Sequence, residues 1–318
     1  MTAIRARGQY DAPPPRRRPW LRRHKWLLLR RASQFGVIAL FLAGPMYGVW
    51  IVKGSLISSK TMGVLPLSDP YVALQSLAAG HLLASTTLIG AAIVLGFYML
   101  VGGRAYCAFV CPMNIVTDAA RWLSKRLQLP KGWTPPAETR FWLLGATLLA
   151  AVFAALPAWE LINPVTVLSR SLLFGFGYAW TVVFAIFVFD FLISRRGWCG
   201  RLCPMGAFYG VLGAGALLRV AAKERERCDD CMDCFAVCPE PQVIAPALRG
   251  TQKDASRRIL SGVCTNCGRC IDVCEKEVFA FSWRLAAVRP TGPGVFNTRE
   301  GAREAGYSHV ETTEGRKP

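Results

Sequence analysis

Histidine is scarce in this chain: only His24, His81 and His309 occur in 318 residues. A protein that holds several b-type haems needs pairs of axial ligands, usually histidines, and three scattered histidines cannot supply them. Cysteine outside short motifs is also absent, because all twelve cysteines fall into four closely spaced groups. No cysteine is therefore left over for a disulfide framework of the kind that secreted proteins use.

Acidic residues are few as well: 20 Asp and Glu stand against 38 Lys and Arg, and the formal net charge is +18. Over half of the residues are hydrophobic (53%), a combination typical of a membrane protein with basic cytoplasmic segments. Residues 1–31 carry ten of the basic residues and one acid, Asp11. We expect this arm to meet anionic lipid rather than nucleic acid. The apolar segment after it has no small-residue cleavage pattern, which favours a membrane span over a signal peptide.

Four apolar stretches are long enough to cross a bilayer, which takes roughly 20 residues in a helix. They cover residues 35–52, 81–101, 141–159 and 172–193. Lys and Arg are concentrated in the N-terminal arm and in the connections that follow the second and fourth stretches, which places these segments and both termini in the cytoplasm. The sequence thus predicts an α-helical integral membrane protein with four transmembrane helices, whose first and third connections lie outside.

Eight of the cysteines form two runs with the spacing C-x2-C-x2-C-x3-C. This spacing is that of bacterial [4Fe–4S] sites, in which three thiolates of one run are joined by the fourth of the other. The crossed rule predicts one cluster on Cys228, Cys231, Cys234 and Cys274 and a second on Cys264, Cys267, Cys270 and Cys238. Sequential use of each run is the less favoured alternative. A zinc ribbon would leave the third and fourth cysteines of each run unexplained.

The other four cysteines belong to an internal repeat. Residues 104–113 (R-A-Y-C-A-F-V-C-P-M) resemble residues 196–205 (R-G-W-C-G-R-L-C-P-M), and each copy follows an even-numbered span. We therefore expect both pairs, Cys107/Cys111 and Cys199/Cys203, at the cytoplasmic face, where helical i,i+4 spacing would put the two sulfurs of each pair on one side. Together the four thiols could bind a further metal or Fe–S centre, which we favour. Alternatively, each pair could cycle between dithiol and disulfide.

These motifs divide the chain into four parts. They are a basic cytoplasmic arm (1–31), a membrane domain with the two C-x3-C-P motifs (32–222), a small α+β ferredoxin domain for two clusters (223–285) and a tail (286–318). The tail is rich in Pro, Gly, Thr and charged residues, a composition that favours flexibility.

The four spans, the duplicated C-x3-C-P motif and the C-terminal cysteine runs together resemble the NapH-type ferredoxin family, whose layout a methylamine-utilisation relative shares. Residues 63–71 and the segment that follows them to His81 are also similar to the first external loop of that family. The resemblance covers about residues 30–285. It implies a quinol dehydrogenase subunit of a bacterial inner membrane, which takes electrons from the quinone pool. A periplasmic Fe–S partner would pass them to the periplasmic nitrate reductase.

Quinol oxidation releases two protons as well as two electrons, so ionisable groups near the span ends are candidate proton acceptors. We expect His81 and Asp190 to act catalytically, because ionisable residues within membranes are functional by default and histidine titrates near neutral pH. Asp69 and Glu160 are further external-side candidates. Simpler roles also fit, with Asp69 as a turn residue, His81 and Glu160 as interfacial anchors and Asp190 as an ion-pair partner of an arginine.

Two functions from different classes are compatible with these motifs. The first is quinol-driven electron transfer towards a periplasmic reductase, which the family resemblance favours. The second is a membrane-anchored assembly factor that reduces a metal or a thiol of another protein. The first predicts that replacing Cys228 or Cys264 stops electron flow, whereas the second predicts a reductase that lacks a cofactor.

Overall fold

The computed structural model describes residues 19–129, 132–174, 179–194, 197–249 and 256–286. Residues 1–18 of the predicted basic arm and residues 287–318 of the predicted tail lie outside the described residues. The expectations for those two segments therefore remain predictions.

The first helix, α1, covers Trp20–Tyr47 and is the one described helix that is long and apolar enough to cross a membrane by itself. It begins within the predicted arm rather than after it, because Pro19 at the N-cap suits a helix start and no Pro or Gly interrupts residues 20–31. Gly48 ends the helix in a left-handed conformation (φ 72°). Arg30 of α1 is buried, so the last part of the arm is packed into the protein.

The segment after α1 forms a small sheet and a short helix. Strands β1 (Val52–Gly54), β2 (Ser58–Thr61) and β3 (Leu65–Ser68) are antiparallel neighbours in that order. Helix α2 (Pro70–Ala78) follows directly. Asp69 lies at the junction of β3 and α2 and is the N-cap of the helix.

This segment folds back into the helix bundle. Strand β3 packs along helix α3 (Ser85–Val101), and Gly90 permits the contact because a Cβ there would lie 3.0 Å from the Pro66 carbonyl oxygen. Further along α3, Tyr98 contacts Tyr209, whose hydroxyl meets Asp69. The connection between the first two predicted spans is therefore re-entrant, with Asp69 near its deepest point.

The remaining apolar helices are shorter than the predicted spans. Helix α6 covers Thr139–Ala154 and ends there because Ala155 is left-handed (φ 50°) and Pro157 follows. Helices α7 (Ala158–Ile162) and α8 (Pro164–Phe174) continue the chain. Helix α9 (Ala179–Val188) runs on into a π-helical turn, Phe189–Ile193. The predicted span 172–193 thus combines parts of α8 and α9, and residues 175–178 between them lie outside the described residues.

Large apolar side chains on these helices face outward. Phe97 of α3 is 54% exposed, Phe153 of α6 is 86% exposed and Phe184 of α9 is 66% exposed. Extended apolar surfaces of this kind mark contact with lipid or with another protein.

The two C-x3-C-P motifs lie in the connections after these helices. Helices α4 (Ala105–Phe109) and α5 (Met113–Arg126) carry and follow the first motif. The second motif occupies a π-helical turn, Trp198–Leu202, and is followed by helix α10 (Pro204–Gly215). Helix α10 packs against α3 and α6, which brings the second motif next to the first.

The cysteine-rich C-terminal part folds around an antiparallel strand pair, β4 (Leu218–Ala222) and β5 (Phe279–Trp283). Three short helices complete it: α11 (Asp233–Val237), α12 (Ile244–Arg249) and α13 (Arg269–Val273). The unit begins at residue 218 rather than at the predicted 223, because β4 is needed to pair with β5. The hydrophobic core of this α+β unit includes several of the cysteines.

Candidate functional site

The first predicted set of cluster ligands surrounds one cavity. Its walls include four thiols from both cysteine runs, those of Cys228, Cys231, Cys234 and Cys274. Apolar side chains such as Phe235 and Val278 complete the lining. The fold therefore brings the fourth cysteine of the second run to the first three of the first run, as the crossed rule requires.

The second predicted set is also brought together. The buried thiol of Cys270 has three thiols of this set as electrostatic neighbours, those of Cys264, Cys267 and Cys238. Burial raises the pKa of Cys270 well above its usual value, and these neighbours add to the effect. The Cys264 thiol donates a hydrogen bond to the Asn266 side-chain oxygen (3.6 Å).

The two runs have the same local backbone. Between the first and second cysteines, Asp230 and Asn266 are left-handed (φ 54° and 47°). Between the second and third cysteines, Met232 and Gly268 are left-handed (φ 62° and 70°) and begin α11 and α13. Such positive φ angles are uncommon outside glycine, so their repetition shows that both runs form the same ligand loop.

The two C-x3-C-P motifs also share one backbone pattern. The N–H of Cys111 donates to the Tyr106 carbonyl (3.0 Å), and the N–H of Cys203 donates to the Trp198 carbonyl (2.9 Å). In each copy the second cysteine thus closes a wide, five-residue turn onto the aromatic residue that precedes the first cysteine. In the first copy the Tyr106 carbonyl also accepts the i,i+4 N–H of Val110 (2.9 Å), whereas in the second copy a π-helical turn takes the place of the expected i,i+4 geometry. Such wide turns are common at functional sites.

The four thiols of these motifs lie near one another. The Cys199 thiol has Cys111, Cys203 and Cys107 as electrostatic neighbours. The Gly206 N–H donates to the Cys203 sulfur (3.4 Å), and burial raises the pKa of that thiol to about 12. Among the described residues no group of three or more His, Cys, Asp or Glu is close enough to hold a single metal ion. The candidate ligands in all of these sets are thiols, the ligand type that holds iron–sulfur clusters.

A buried ion pair joins the second motif to the ferredoxin unit. Arg104, which is 2% exposed, forms a 3.0 Å salt bridge with Glu240. Arg104 also donates to the Cys199 carbonyl (3.0 Å) and the Val263 carbonyl (2.8 Å). Arg140 donates to the neighbouring Gly200 carbonyl (3.1 Å) and lies 3.9 Å from Glu240. The sequence motifs did not indicate a role for Glu240. The one sequence signal for this ion pair is the arginine that starts each copy of the repeat, because a repeated basic residue calls for an acidic partner.

The two predicted catalytic residues lie in different places. Asp190 is fully buried beside the second motif, where its Oδ1 accepts the Trp198 N–H (2.9 Å). His81 is exposed, with Nε2 3.0 Å from the Ala155 carbonyl oxygen at the C-terminal end of α6. Arg140, at the other end of α6, contacts the second motif, and about 1.5 Å of rise per residue puts His81 roughly 20 Å away. The structure therefore brings Asp190, but not His81, to the cysteines.

The two weaker external-side candidates also differ. Asp69 is 5% exposed and accepts the Tyr209 hydroxyl (2.9 Å) within a cluster of aromatic rings. Glu160 is half-buried in α7 and accepts the Asn163 side-chain amide (3.4 Å). No sequence pattern predicted a role for Tyr209 or for its neighbour Tyr106. Both lie in or beside the C-x3-C-P segments, where only the cysteines indicated a function.

Comparison with known proteins agrees with the cysteine geometry. Residues 83–130 match a family described as "4Fe-4S binding domain", and residues 196–244 match one described as "4Fe-4S dicluster domain". No solved structure matches the chain.

Similar proteins cover nearly the whole chain. The "Methylamine utilization ferredoxin-type protein MauN" of Methylorubrum extorquens is 51% identical over 270 residues, which are 85% of this chain and 93% of that protein. The MauN of Paracoccus denitrificans is 51% identical over 269 residues, 85% of this chain and 94% of that protein. The "Ferredoxin-type protein NapH" of Escherichia coli is 45% identical over 269 residues, 84% of this chain and 93% of that protein.

These similarities confirm the resemblance that the sequence motifs indicated. The iron–sulfur domain matches include the C-x3-C-P pairs and the first ferredoxin run, and the relatives align beyond both. The chain therefore belongs to the NapH/MauN family of ferredoxin-type, iron–sulfur electron-transfer proteins.

Proposed function

We propose that this protein oxidises quinol in the membrane and passes the electrons through [4Fe–4S] clusters towards a periplasmic reductase. One observation carries the proposal: a single buried side chain bridges the two thiol regions. Arg104 donates to the carbonyl of Cys199 in the second C-x3-C-P motif and to the carbonyl of Val263, the residue before Cys264. Electron carriers bound at these two places would therefore be neighbours.

The ligands of the two ferredoxin clusters are also part of the proposal. We assign one cluster to the set Cys228, Cys231, Cys234 and Cys274 and the other to the set Cys264, Cys267, Cys270 and Cys238. The cavity around the first set and the mutual proximity of the second set support this assignment. When bound, a [4Fe–4S] cluster accepts and donates one electron at a time. The chain supplies the thiolates and an apolar surround that excludes water.

The C-x3-C-P cysteines are assigned a third centre. Cys107, Cys111, Cys199 and Cys203 lie together, each partly exposed, at the junction of two similar turns. The Gly206 N–H aimed at the Cys203 sulfur is the kind of donor that stabilises a metal-bound thiolate. The alternative is that the two pairs are redox-active dithiols. The metal content of the protein distinguishes this alternative from a third centre.

The membrane arrangement is part of the proposal. Four apolar segments centred on α1, α3, α6 and α9 would cross a bacterial inner membrane, with both termini in the cytoplasm. The outward-facing apolar side chains and the distribution of Lys and Arg support this topology. The long helix α1 meets the length requirement alone, and the shorter helices rely on flanking segments to complete the crossing.

The partners are proposed from the family. The relatives include a ferredoxin-type protein NapH and a methylamine-utilisation ferredoxin-type protein MauN. For this chain we propose a periplasmic Fe–S subunit and a reductase such as nitrate reductase as the acceptors.

Reduction of anaerobically purified protein by a short-chain quinol tests the function. Electron paramagnetic resonance would follow the cluster signals, and dithionite would give the full-reduction control. We expect quinol to produce cluster signals that a quinone-site inhibitor abolishes. We expect iron analysis and spin counting to show more than two clusters, and the Cys107→Ser and Cys203→Ser variants to lose the additional centre.

The opposite result has a defined meaning. Clusters that dithionite reduces but quinol does not would overturn the dehydrogenase proposal in favour of a cytoplasmic donor or an assembly role. If the protein holds only two clusters and its four C-x3-C-P thiols can be titrated, the proposal of a third centre is overturned in favour of a dithiol switch.

A further inference from the structure

A cavity of about 230 Å³ lies beside the first C-x3-C-P motif. Its walls come from α1, the β1–β3 sheet, α3, the segment around α4, and α10, and are mostly apolar, as at Leu67 and Val94. It is smaller than the roughly 300–1,000 Å³ sites of drug-sized ligands, a size that suits one substituted ring. Leu40 of α1 lines the cavity and is 41% exposed, so the cavity reaches the apolar surface of the protein.

The deep end of the cavity holds a carboxylate. Asp69 lines it, and its Oδ1 accepts the N–H groups of Tyr71 (2.8 Å) and Val72 (3.2 Å). Its Oδ2 accepts the Tyr209 hydroxyl (2.9 Å). An ionised carboxylate has about four acceptor positions, and three are used here. Asp69 can therefore accept one more hydrogen bond, from a hydroxyl group inside the cavity.

The protonation of Asp69 suits a proton acceptor. Asp69 lies in the re-entrant connection between the first two proposed spans, and its burial raises its pKa to about 6. The hydrogen bonds from Tyr209 and from the two N–H groups oppose that rise, while the charge of Glu160 adds to it. A general base works best when its pKa lies near the operating pH.

The cavity also adjoins the proposed third centre. Tyr106 and Val110 line it, and each immediately precedes a cysteine of the first motif, Cys107 or Cys111. A ring bound in the cavity would thus contact the two residues next to those ligands. The cavity therefore combines access from the apolar surface, an acceptor for a hydroxyl group and a neighbouring site for an electron carrier.

We propose that this cavity binds the quinol head group and that Asp69 accepts its hydroxyl protons; this rests on the proposed quinol oxidation. Oxidation breaks the two O–H bonds of the quinol and leaves the quinone. The two electrons pass one at a time to the iron–sulfur carriers, which are reduced. Asp69 takes the first proton, releases it to water and then takes the second.

The groups that face Asp69 define its pH dependence. They come from five elements and are Tyr71, Tyr98, Tyr106, Cys107, Glu160 and Tyr209. Between about pH 5 and pH 7 the tyrosines keep their protons, given a reference pKa of roughly 10, and Cys107 would be a thiolate ligand of the proposed third centre. Burial raises the pKa of Glu160 as well, but Asp69 is the group whose pKa lies near 6. Because an ionised Asp69 is needed, the rate of quinol-driven reduction should rise with pH through about 6.

The Asp69→Asn variant tests the proton acceptor. Asparagine is also a good N-cap: its oxygen can accept the Tyr71 and Val72 N–H groups while its NH2 group donates to the Tyr209 hydroxyl oxygen, so the fold should be kept. We expect quinol-driven cluster reduction to slow by about 100-fold or more and to lose its rise through pH 6, with reduction by dithionite unchanged. The matched control is Glu138→Gln, which removes an exposed carboxylate at the cytoplasmic start of α6 and should leave both rate and pH profile intact.

A second pair of variants tests the cavity itself. Val94→Phe would fill it, whereas Ile93→Phe changes the adjacent residue of α3, which is 41% exposed and absent from the cavity wall. Val94→Phe should raise the quinol concentration for half-maximal reduction, and the concentration for half-maximal binding of a quinone-site inhibitor, by about 10-fold or more. Ile93→Phe should change neither.

The possible failures are separable. If quinol does not reduce the wild-type clusters, the proposed function fails. If quinol reduces the wild-type protein and Asp69→Asn behaves like it, the assignment of Asp69 is overturned. A pH 6 inflection that survives in Asp69→Asn but disappears in Glu160→Gln would move the proton acceptor to Glu160. Equal inhibitor binding by Val94→Phe and Ile93→Phe would place the quinol outside this cavity.

Discussion

Glu240 is a buried acid that connects the ferredoxin unit to the membrane domain. Its carboxylate lies 3.0 Å from Arg104 and 3.9 Å from Arg140, and its side chain is 7% exposed. Two guanidinium groups therefore share one acid in a place with little water. Removing one partner of a buried ion pair leaves an uncompensated charge, which is strongly destabilising.

The Glu240→Gln substitution should lower the free energy of unfolding by about 3–5 kcal/mol. The amide keeps the shape of the side chain but leaves two buried arginines without a counter-charge. Chemical denaturation of the detergent-solubilised protein, with iron content as a check on the clusters, would measure the loss. Glu226→Gln is the matched control, because Glu226 is 54% exposed in its 2.8 Å pair with Arg257 and should cost less than about 1 kcal/mol. Equal losses in the two variants would contradict the role given to Glu240.

The sequence predicted the chemistry of the cysteines but not that of their surroundings. Spacing within a run reports local ligand geometry, so Cys228 and Cys264 could be assigned to clusters before any fold was known. Arg104, which pairs with Glu240, is 136 positions away from it, and no local pattern encodes such a pairing. Asp69 is a candidate proton acceptor on the sequence alone, but its contact with Tyr209, 140 positions distant, is recognised only in the fold.

Helix α10 shows why an element can be rich in glycine without being flexible. A Cβ on Gly103, before α4, would lie 2.5 Å from the backbone nitrogen of Gly213 in α10. At the next position of α10, a Cβ on Gly262 would lie 2.8 Å from the backbone nitrogen of Ala214. Backbone therefore packs directly on backbone at the place where the membrane domain meets the ferredoxin unit.

The Gly103→Ala substitution should destabilise the protein by about 1–3 kcal/mol, the usual range for overpacking, because backbone atoms cannot move aside as a side chain can. Gly96→Ala is the matched control, since nothing lies within 4 Å of a Cβ at that position of α3. In the middle of a helix that change should stabilise by roughly 0.5–1 kcal/mol. Thermal unfolding of the two variants in detergent would show shifts of opposite sign; a tolerated Gly103→Ala would refute the close contact.

Element boundaries followed from the sequence only where the chain is regular. Apolar length correctly located helices in each of the four predicted stretches, because a helix in an apolar surround satisfies its own backbone groups. The re-entrant β1–β3 sheet and α2 could not be foreseen, since segments of three to nine residues carry too little periodicity. The wide turns at Cys111 and Cys203 were also missed, because spacing alone does not distinguish an i,i+4 from an i,i+5 closure.

At the scale of the whole molecule, the proposed topology places two strongly exposed residues of the fold on opposite sides of the membrane. Val64, at the turn between β2 and β3, is 85% exposed, and Leu285, after β5, is 88% exposed. The first belongs to the outer connection and the second to the cytoplasmic ferredoxin unit.

Single cysteines at these two positions would report the topology. A membrane-impermeant maleimide added to spheroplasts should label Val64→Cys and should label Leu285→Cys only after the membrane is opened. The unsubstituted chain controls for its twelve native cysteines. If Leu285→Cys is labelled in intact spheroplasts and Val64→Cys is not, the proposed orientation is reversed. If both variants are labelled equally before lysis, no membrane separates the two positions.

Helix α1 makes contacts that connect the beginning of the chain to its end. The backbone N–H groups of Trp26 and Leu27 donate to the carboxylate of Asp272 (3.1 and 3.2 Å), which is 2% exposed. Trp26 and Asp272 are 246 positions apart, so the ribosome must make nearly all of the protein before this contact can form. During synthesis, α1 therefore has to wait for Asp272 before this contact can form, and docking of the ferredoxin unit on α1 is a late step of folding.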